Sequence, residues 1–530
     1  MPNKTSCQTK KLRFYGYFIF YKIKKVILYK YTNVEKGENM VEKRYIVGLD
    51  EGTTSARALV YDTKTNKILS VESQGFRQYY PENGWVEQDA EEIYLALCFA
   101  FQKAMNGKRL DKDKILAVAL TSQRETVVAF DKETGKPVYN AIVWQCRRTA
   151  KEIEKLSPEV KEKIRAKTGL VPDPYFSASK MAWILKNVPE AKALAKKHQL
   201  CLGTMDSFIA YKLTGKFVTD TSNASRTMLF NINTMDYDDE LLDLWGISRE
   251  CLPKVVSSAE VIGECKEFNG APLCSIIGDQ QGSLVGHGAV DAGRSKITYG
   301  TGGFLLVNTG NKVQLENNKL LATVAYTVNG KTAYALEGSI FSACSAINWA
   351  GHNVKLFDKV DETEKMALSV PDNGGVYFVP AFTGLGSPFW NANARACFVG
   401  ITFGVTKNHM VRAVLESLGY GANAIIKEME KTGIKLKSIN VDGGGSKNRF
   451  ILQFLSDISG KQAHKTESTE CSVLGAIYLT EVALGLIKFD EIKNLAKQVE
   501  SFKPEISARQ REKLFAEWEY AAKNSTWVQE

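Results

Sequence analysis

The chain has 530 residues, of which 44% are hydrophobic and 24% are charged. This length allows two or three domains with large cores, and the composition excludes a fibrous or low-complexity protein. The net charge is +10, but residues 1–39 carry nine Lys and Arg against two Glu, so seven of the ten charges lie there. Because the rest of the chain is nearly neutral, we expect no nucleic-acid partner.

Residues 1–43 form an atypical basic extension, which we expect to be disordered or absent from the natural protein. Its apolar run at 14–20 is followed by lysines, so it is too short for a spanning helix and lacks the cleavage site of a signal peptide. We therefore predict no stable membrane insertion. The segment 36–40 back-translates to a purine-rich stretch before an ATG, so Met40 is the expected start.

The ten cysteines show no short paired spacing, and several, such as Cys98 and Cys274, stand in apolar runs. This usage is typical of reduced thiols in a cytoplasmic protein and argues against disulfides and zinc. The five histidines are scattered, so the sequence predicts no metal site around them.

The first strong pattern is an apolar strand from Tyr45, a turn at 51–55 and a second strand at 57–61. Gly52 allows a tight turn close to a ligand. The hydroxyls and N–H groups of this turn could hold phosphate oxygens, and Asp50 ends the strand where it could hold a metal ion. Taken alone, such a turn is more often an ordinary surface hairpin.

The following elements predict a mixed sheet covered by helices. A third strand is expected at 67–73, a helix at 91–105 and a buried strand at 115–120. The pattern restarts with strands at 296–307, 320–328 and 331–336. A long amphipathic helix around 411–425 and a strand at 437–442 follow.

Two further glycine turns strengthen the first one. Gly300-Thr301-Gly302-Gly303 follows a strand in the second half of the chain, and Asp442-Gly443-Gly444-Gly445 follows another. The order of these three turns resembles the actin-like ATPase superfamily. The resemblance implies an α/β fold of two actin-like (ribonuclease H-like) domains, each a mixed five-stranded sheet flanked by helices, with an ATP cleft between them. We place the domains at 44–291 and 292–530.

Polar clusters lie between the two hairpin turns, at the predicted ends of apolar strands. Arg124-Glu125 follows one strand, and Asp279-Gln280 follows another. Ligands of α/β sheets gather at the carboxyl ends of strands, so these side chains could bind a polyol. The alternatives are a surface ion pair for Arg124 and Glu125 and a helix cap for Asp279.

Several phrases make the resemblance specific. The segments 140–148, 173–176, 223–231, 278–281 and 380–386 closely resemble the FGGY carbohydrate-kinase family, in particular its branch that phosphorylates glycerol. The resemblance runs from about Tyr45 to the C-terminus. It implies transfer of a phosphoryl group from ATP to glycerol, with Mg²⁺, in a cytoplasmic homodimer or homotetramer.

The resemblance also implies roles for individual residues. Asp279 would be the catalytic base, and Asp50 would lie near the metal. The residues implied in glycerol binding are Arg124, Glu125, Trp144, Tyr175, Asp279, Gln280 and Phe304. The residues implied in nucleotide binding are Thr53, Thr54, Ser55, Arg57, Thr301, Cys344, Asn348, Gly444 and Asn448.

Three positions depart from the family pattern. Glu51 replaces the usual Gln and would add negative charge near the metal, while Cys344 and Asn348 replace the usual Gly and Gln of the nucleotide pocket. They put nucleotide affinity in question. They also leave one alternative open, a diverged ATPase without catalysis. A second alternative, which does not depend on these positions, is a kinase of a related polyol or ketose in the same family.

Overall fold

The structure is a computed structural model that describes residues 33–36, 39–315 and 319–526. Most of the basic extension predicted at 1–43 lies outside the described residues. In its described part, strand β1 (Asn33–Lys36) pairs antiparallel with β2 (Asn39–Glu42).

The remaining strands form two large sheets and several small ones. They are β3 (Tyr45–Glu51), β4 (Ser55–Asp62), β5 (Lys67–Gly75), β6 (Glu87–Gln88), β7 (Ile115–Ser122), β8 (Val127–Asp131), β9 (Ala141–Ile142), β10 (Leu200–Thr204), β11 (Val218–Asp220), β12 (Phe230–Asn231), β13 (Asp236–Tyr237), β14 (Lys254–Val256), β15 (Ala259–Cys265), β16 (Ala271–Gly278), β17 (Arg294–Tyr299), β18 (Gly303–Gly310), β19 (Leu321–Val328), β20 (Lys331–Ile340), β21 (Tyr377–Val379), β22 (Cys397–Val399), β23 (Ser438–Asp442), β24 (Ala463–Thr466) and β25 (Gln498–Phe502).

The helices pack on and between the two large sheets. They are α1 (Ala90–Gly107), α2 (Ala150–Glu154), α3 (Pro158–Thr168), α4 (Ser177–Asn187), α5 (Pro189–Lys196), α6 (Met205–Thr214), α7 (Thr221–Ala224), α8 (Asp239–Trp245), α9 (Asp279–Gly286), α10 (Cys344–His352), α11 (Glu362–Leu368), α12 (Lys407–Lys431), α13 (Arg449–Ser459), α14 (Cys471–Leu484) and α15 (Ala508–Lys523). Short 3-10 turns occupy Lys112–Lys114, Arg249–Cys251, Lys266–Phe268, Gly444–Lys447 and Phe489–Asn494.

The two large sheets repeat one plan. The first has the order β15-β16-β7-β3-β4-β5, and the second has the order β19-β20-β18-β17-β23-β24-β25. In each sheet, three antiparallel strands are followed by two parallel ones, so β3, β4, β5, β7 and β16 correspond to β17, β18, β20, β23 and β24. The predicted two-domain α/β fold with mixed sheets is therefore confirmed.

The predicted strand number of five is wrong for both sheets, which have six and seven strands. The five shared strands are present, and the additional ones lie at the edges. Edge strands β15 and β25 each contain exposed polar residues, such as Glu260, Glu264 and Gln498, so they lack the continuous apolar run that marks a central strand. The strand predicted at 296–307 is also two strands, because the backbone turns at Gly300, whose N–H donates to Gly302 O.

The central strands form where the sequence is apolar throughout. Every residue of β3 and of β7 is buried, because each strand lies between two others and is covered on both faces. The predicted helix at 91–105 is α1, which begins after Asp89, whose carboxylate accepts from the N–H groups of Glu91 and Glu92. The predicted long amphipathic helix is α12.

Two helices lie between the sheets and cross closely. Helix α9 leads towards the second sheet, whereas α14, from the end of the chain, packs against β3, β7 and β16 of the first sheet. Their backbones touch because Gly282, Gly286 and Gly475 lie at the crossing, where an added Cβ would overlap the facing backbone. The predicted domain boundary at 291 falls between α9 and β17. Among the described residues, no helix is long and apolar enough to cross a membrane.

This crossing predicts the effect of a single methyl group. In Gly475→Ala the new Cβ would overlap Gly282 O, and backbone cannot move aside as a side chain can. We expect a loss of about 1–3 kcal/mol of stability and a lower Tm in thermal unfolding. Gly107→Ala is the control, because a Cβ at the end of α1 meets nothing within 4 Å, and its Tm should stay near that of the parent. An unchanged Tm in Gly475→Ala would contradict the packing described here.

Candidate active site

Two arginines and two glutamates form a buried cluster between the sheets. Arg124 donates from Nη1 and Nη2 to Glu337 at 2.5 and 3.1 Å. Arg226 donates from Nε to Glu125 Oε1 at 2.6 Å and from Nη2 to Glu337 Oε1 at 3.0 Å. All four side chains are at most 2% exposed. The surface ion-pair alternative for Arg124 and Glu125 is therefore wrong.

The cluster is balanced in charge, which its burial requires. Two guanidinium groups face two carboxylates, and an isolated buried charge would be strongly unfavourable. Burial alone would raise the pKa of Glu337, but Arg124 and Arg226 lower it to about 2. Glu337 belongs to β20 of the second sheet, whereas its partners precede that sheet in the chain. The cluster therefore connects the two halves of the molecule.

Asp279 lies at the open side of this cluster. It is the first residue of α9, directly after β16, and its carboxylate is 28% exposed. Strands β7 and β16 are parallel neighbours, so Asp279 lies near Arg124, with 3.5 Å between Asp279 Oδ1 and Arg124 Nε. Both carboxylate oxygens accept from Gln280, at 2.7 Å from its backbone N and 3.1 Å from Nε2. These contacts orient a carboxylate towards the cleft.

Aromatic rings line the cleft next to Asp279. Trp144 and Tyr175 meet edge to face, with 5.5 Å between ring centroids, and Arg124 Nη2 lies 3.4 Å from the Tyr175 hydroxyl. Phe304, from the second sheet, lines the same cavity of about 700 Å³. The structure thus brings the predicted residues Arg124, Glu125, Trp144, Tyr175, Asp279, Gln280 and Phe304 to one region of the cleft.

The first predicted phosphate turn is joined to this region. Trp144 Nε1 donates to Thr53 Oγ1 at 3.1 Å, which connects an aromatic wall to the β3–β4 turn. The carbonyl oxygen of Thr53 accepts hydrogen bonds from the side-chain amides of Gln78 and Gln88 at 2.8 and 2.7 Å, and these two bonds fix the position of the turn. Thr54 is exposed and Ser55 begins β4.

Acidic and basic groups surround the end of β3. Arg57 Nη1 lies 3.8 Å from Asp50 Oδ2 and 3.4 Å from Glu470 Oε2. The pKa of Asp50 is raised to about 7, mainly by burial. Glu470 and Asp279 add to this increase, and Arg57 opposes it. The ionised form of Asp50 is therefore destabilised in these surroundings, and a bound cation would stabilise it.

Glu51 is placed differently from the sequence expectation. Its side chain is fully buried, and it accepts from Gln123 Nε2 at 2.5 Å instead of facing the cleft. Burial raises its pKa well above the usual value. Gln123 in turn donates to Gln88, and Gln88 donates to the carbonyl oxygen of Thr53. Glu51 is therefore part of the hydrogen-bond network that positions the turn.

The second half of the chain supplies two more turns to the cleft. Thr301 is exposed at the β17–β18 turn, and its carbonyl accepts from Ser345. Gly443 has φ of +83°, and an added Cβ there would lie 2.5 Å from Tyr299 O. Gly444 faces open space, with nothing within 4 Å of an added Cβ.

The remaining predicted nucleotide residues lie around these turns. Cys344 begins α10, and its thiol lies 3.4 Å from Tyr299 O. Asn448 caps α13 by accepting from Ile451 N, and its Nδ2 donates to Thr363. Asn348 is exposed on α10. Cys344 and Asn448 lie directly against the glycine turn: an added Cβ on Gly445 would be 3.2 Å from Cys344 Sγ, and Asn448 N donates to Gly445 O at 3.2 Å.

Sequence reasoning missed several residues of the site. Arg226 stands in a phrase that carried the family resemblance, so a signal existed. Glu337 is a single acid in an otherwise apolar strand pattern, which could also have marked it. Gln281 and Lys296 were missed as well; Gln281 contacts Arg124, and Lys296 donates to Gln280 Oε1 at 2.5 Å.

Comparison with known proteins identifies the family. A model of the N-terminal domain of the FGGY family of carbohydrate kinases matches residues 45–286, and a model of the C-terminal domain matches residues 295–484. The chain belongs to this family. A glycerol kinase of Thermococcus gammatolerans is 46% identical over 487 residues, covering 91% of this chain and 98% of that protein.

Solved FGGY structures share the fold. The crystal structure of Plasmodium falciparum glycerol kinase with ADP is 33% identical, with a TM-score of 0.85, and covers 92% of this chain and 99% of its own. A ligand-bound xylulose kinase from Lactobacillus acidophilus is 26% identical, with a TM-score of 0.81, over 91% and 99% of the two chains. This FGGY kinase therefore has a solved relative with an adenine nucleotide bound.

The buried cluster predicts a large effect from loss of one charge. Glu337→Gln keeps the shape of the side chain but leaves two guanidinium groups to share Glu125. Breaking a buried pair in this way costs about 3–5 kcal/mol, so the midpoint of chemical unfolding should fall markedly. Glu162→Gln, which removes an exposed partner of Arg165, is the matched control and should cost less than about 1 kcal/mol. Equal effects of the two substitutions would show that the cluster does not stabilise the fold.

Proposed function

We propose that this protein is an ATP-dependent glycerol kinase, which forms sn-glycerol 3-phosphate and ADP. The observation that carries the proposal is the assembly of Arg124, Glu125, Tyr175 and Asp279 at one side of the cleft. The names of the relatives with 46% and 33% identity support the same activity.

The acceptor would be held by hydrogen bonds and apolar contact together. Arg124 donates, Glu125 accepts, and Gln280 can do both, which suits hydroxyl groups. Trp144 and Phe304 would face the carbon skeleton of glycerol. Because the polar groups are fixed by their own partners, the site is ordered before the acceptor binds, which lowers the entropic cost of binding.

Asp279 would act as the general base. Its carboxylate is 28% exposed beside Arg124, and Gln280 orients both of its oxygens. The attacking hydroxyl oxygen of glycerol would form the new bond to the terminal phosphorus of ATP, and the bond to the ADP oxygen would break. The hydroxyl proton would pass to Asp279, and such proton transfer contributes about 10²–10⁴-fold to the rate.

The phosphates of ATP would lie between the two hairpin turns. The proposed contacts are Thr53, Thr54, Ser55 and Arg57 on one side and Thr301 on the other. Cys344, Asn348, Gly444 and Asn448 would line the adenosine side, and the open space at Gly444 and the close approach of Gly443 to Tyr299 fit a backbone cradle.

Asp50 would hold Mg²⁺ or its water shell. The site fits a hard cation, because oxygen donors are present and burial, with the acidic neighbours Glu470 and Asp279, raises the pKa of Asp50. Bound Mg²⁺ would neutralise phosphate charge. Arg57 and the turn N–H groups would add to that neutralisation, and a cleft lined by both halves of the chain would exclude water as a competing nucleophile.

A larger acceptor is the second candidate. The likeness to a xylulose kinase structure favours a polyol or ketose as the alternative acceptor. A diverged ATPase without catalysis would rest on Glu51, Cys344 and Asn348. The buried position of Glu51 weakens that alternative, because its side chain is hydrogen-bonded to Gln123 in the network that holds the Thr53 turn. The assembly and location that we propose are a homodimer or homotetramer in the cytoplasm.

Steady-state kinetics across acceptors tests the proposed substrate. With MgATP, the full chain should show its highest kcat/KM on glycerol among glycerol, dihydroxyacetone, erythritol, xylulose and ribulose. A higher value on a ketose would move the assignment to the second candidate. Bound ATP without turnover on any acceptor would favour the diverged ATPase.

The variant Asp279→Asn tests the proposed base. An amide keeps the size of the side chain but cannot accept the proton, so kcat should fall by about 10²–10⁴-fold while ATP affinity stays near the parent value. Asp291→Asn, at a half-exposed carboxylate paired with Arg294 at 3.8 Å, is the control and should keep its kcat. Near-normal turnover in Asp279→Asn would refute the role of this residue.

A further inference from the structure

Three potential metal ligands meet where α9 and α14 cross. His287 directly follows α9, Asp442 ends β23 and Cys471 begins α14. One ligand atom from each residue lies within 4.8 Å of the other two, and all three side chains are buried. His287 Nε2 is 3.2 Å from Asp442 Oδ2, and His287 Nδ1 is 3.9 Å from Cys471 Sγ.

Two atoms of this group lack a hydrogen-bond partner among the described residues. They are His287 Nε2, whose residue is 2% exposed, and Asp442 Oδ1, whose residue is 3% exposed. His287 Nε2 faces Asp442 Oδ2 at 3.2 Å, a contact that is an ion pair only when the imidazole is protonated. Buried polar atoms in this state are costly and uncommon, and a bound cation is one way in which they are satisfied.

Asp442 supplies a carboxylate to this group, at the end of β23 and beside the imidazole of His287. Lys296 opposes a nearby cation, yet its ammonium donates to Gln280 and Thr298, and a thiolate would add a second negative charge. Ser283 Oγ, 3.1 Å from Asp442 Oδ2, is a further oxygen at the site.

We propose that His287, Asp442 and Cys471 form a buried site for a thiophilic divalent cation, with Zn²⁺ as its best match. Imidazole, carboxylate and thiolate are the zinc donors of proteins, whereas Mg²⁺ prefers oxygen alone. Binding forms the metal–sulfur bond and releases the thiol proton to solvent. The site is separate from the region of Asp50, and its donors differ in kind from those proposed there.

The location gives the site a structural consequence. Its ligands come from three elements that meet at the boundary between the two halves of the chain, and Asp442 directly precedes the turn at Gly443. A cation shared by them ties this turn to both crossing helices. The three ligands come together only in the folded protein, so the cation would bind the folded state and not the unfolded chain. Its occupancy therefore raises Tm.

Cobalt titration of the metal-stripped full chain tests the proposal, with Co²⁺ as a coloured substitute for Zn²⁺. We expect a thiolate-to-cobalt charge-transfer band that saturates at one equivalent, is removed by Zn²⁺ and persists in excess Mg²⁺. Zn²⁺ should also raise Tm. Absence of the band from the parent protein overturns the proposal, whether or not any variant folds.

Variants then assign the ligands. Cys471→Ser should lose the band, and His287→Gln should bind Co²⁺ at least tenfold more weakly. Cys274→Ser, at another fully buried cysteine outside the group, should keep both the band and the affinity. An unchanged band in Cys471→Ser overturns the assignment. Phosphorylation of glycerol with MgATP, measured for the parent and each variant without Zn²⁺, shows whether the protein is folded and active independently of binding at this site.

Discussion

The acceptor side of the cleft depends on the charge balance between Arg124, Arg226, Glu125 and Glu337. None of these side chains reaches bulk water, so each charge must be offset by a partner at hydrogen-bond distance. Because Glu337 comes from the second sheet, the cluster is complete only when the two halves of the chain pack together. The position of Arg124, and through it of Tyr175 and Asp279, therefore follows from the packing of the sheets.

The phosphate side of the cleft is connected to the same framework. Trp144 contacts both Tyr175 and Thr53, so one indole ring joins the acceptor region to the first hairpin turn. Below that turn, Glu51, Gln123 and Gln88 form a chain of hydrogen bonds that ends at the carbonyl of Thr53. Such linked networks fix geometry more strongly than separate pairs do, and phosphoryl transfer depends mainly on positioning.

Much of the fold was predictable because the central strands carry long apolar runs. Strands β3 and β7 are buried on both faces and read as continuous apolar segments. The edge strands β15 and β25 were not predicted, because exposed polar residues such as Glu260, Glu264 and Gln498 interrupt their apolar residues. The family resemblance named Arg124 and Asp279. Arg226 and Glu337 carried local signals that were not used, and their pairing across more than a hundred residues is visible only in the structure.

The sequence by itself determined the three glycine turns, the polar clusters that follow apolar strands, and the membership in a kinase family that these phrases indicate. These features are local: a turn needs glycine where the backbone bends, and a strand needs apolar residues where it is buried. Tertiary structure alone decided that Glu51 faces Gln123 instead of the cleft. It also brought His287, Asp442 and Cys471 together, although these residues are far apart in the chain and share no motif. Contacts between distant segments depend on how helices and sheets pack, and the close crossing of α9 and α14 is the feature that creates this one.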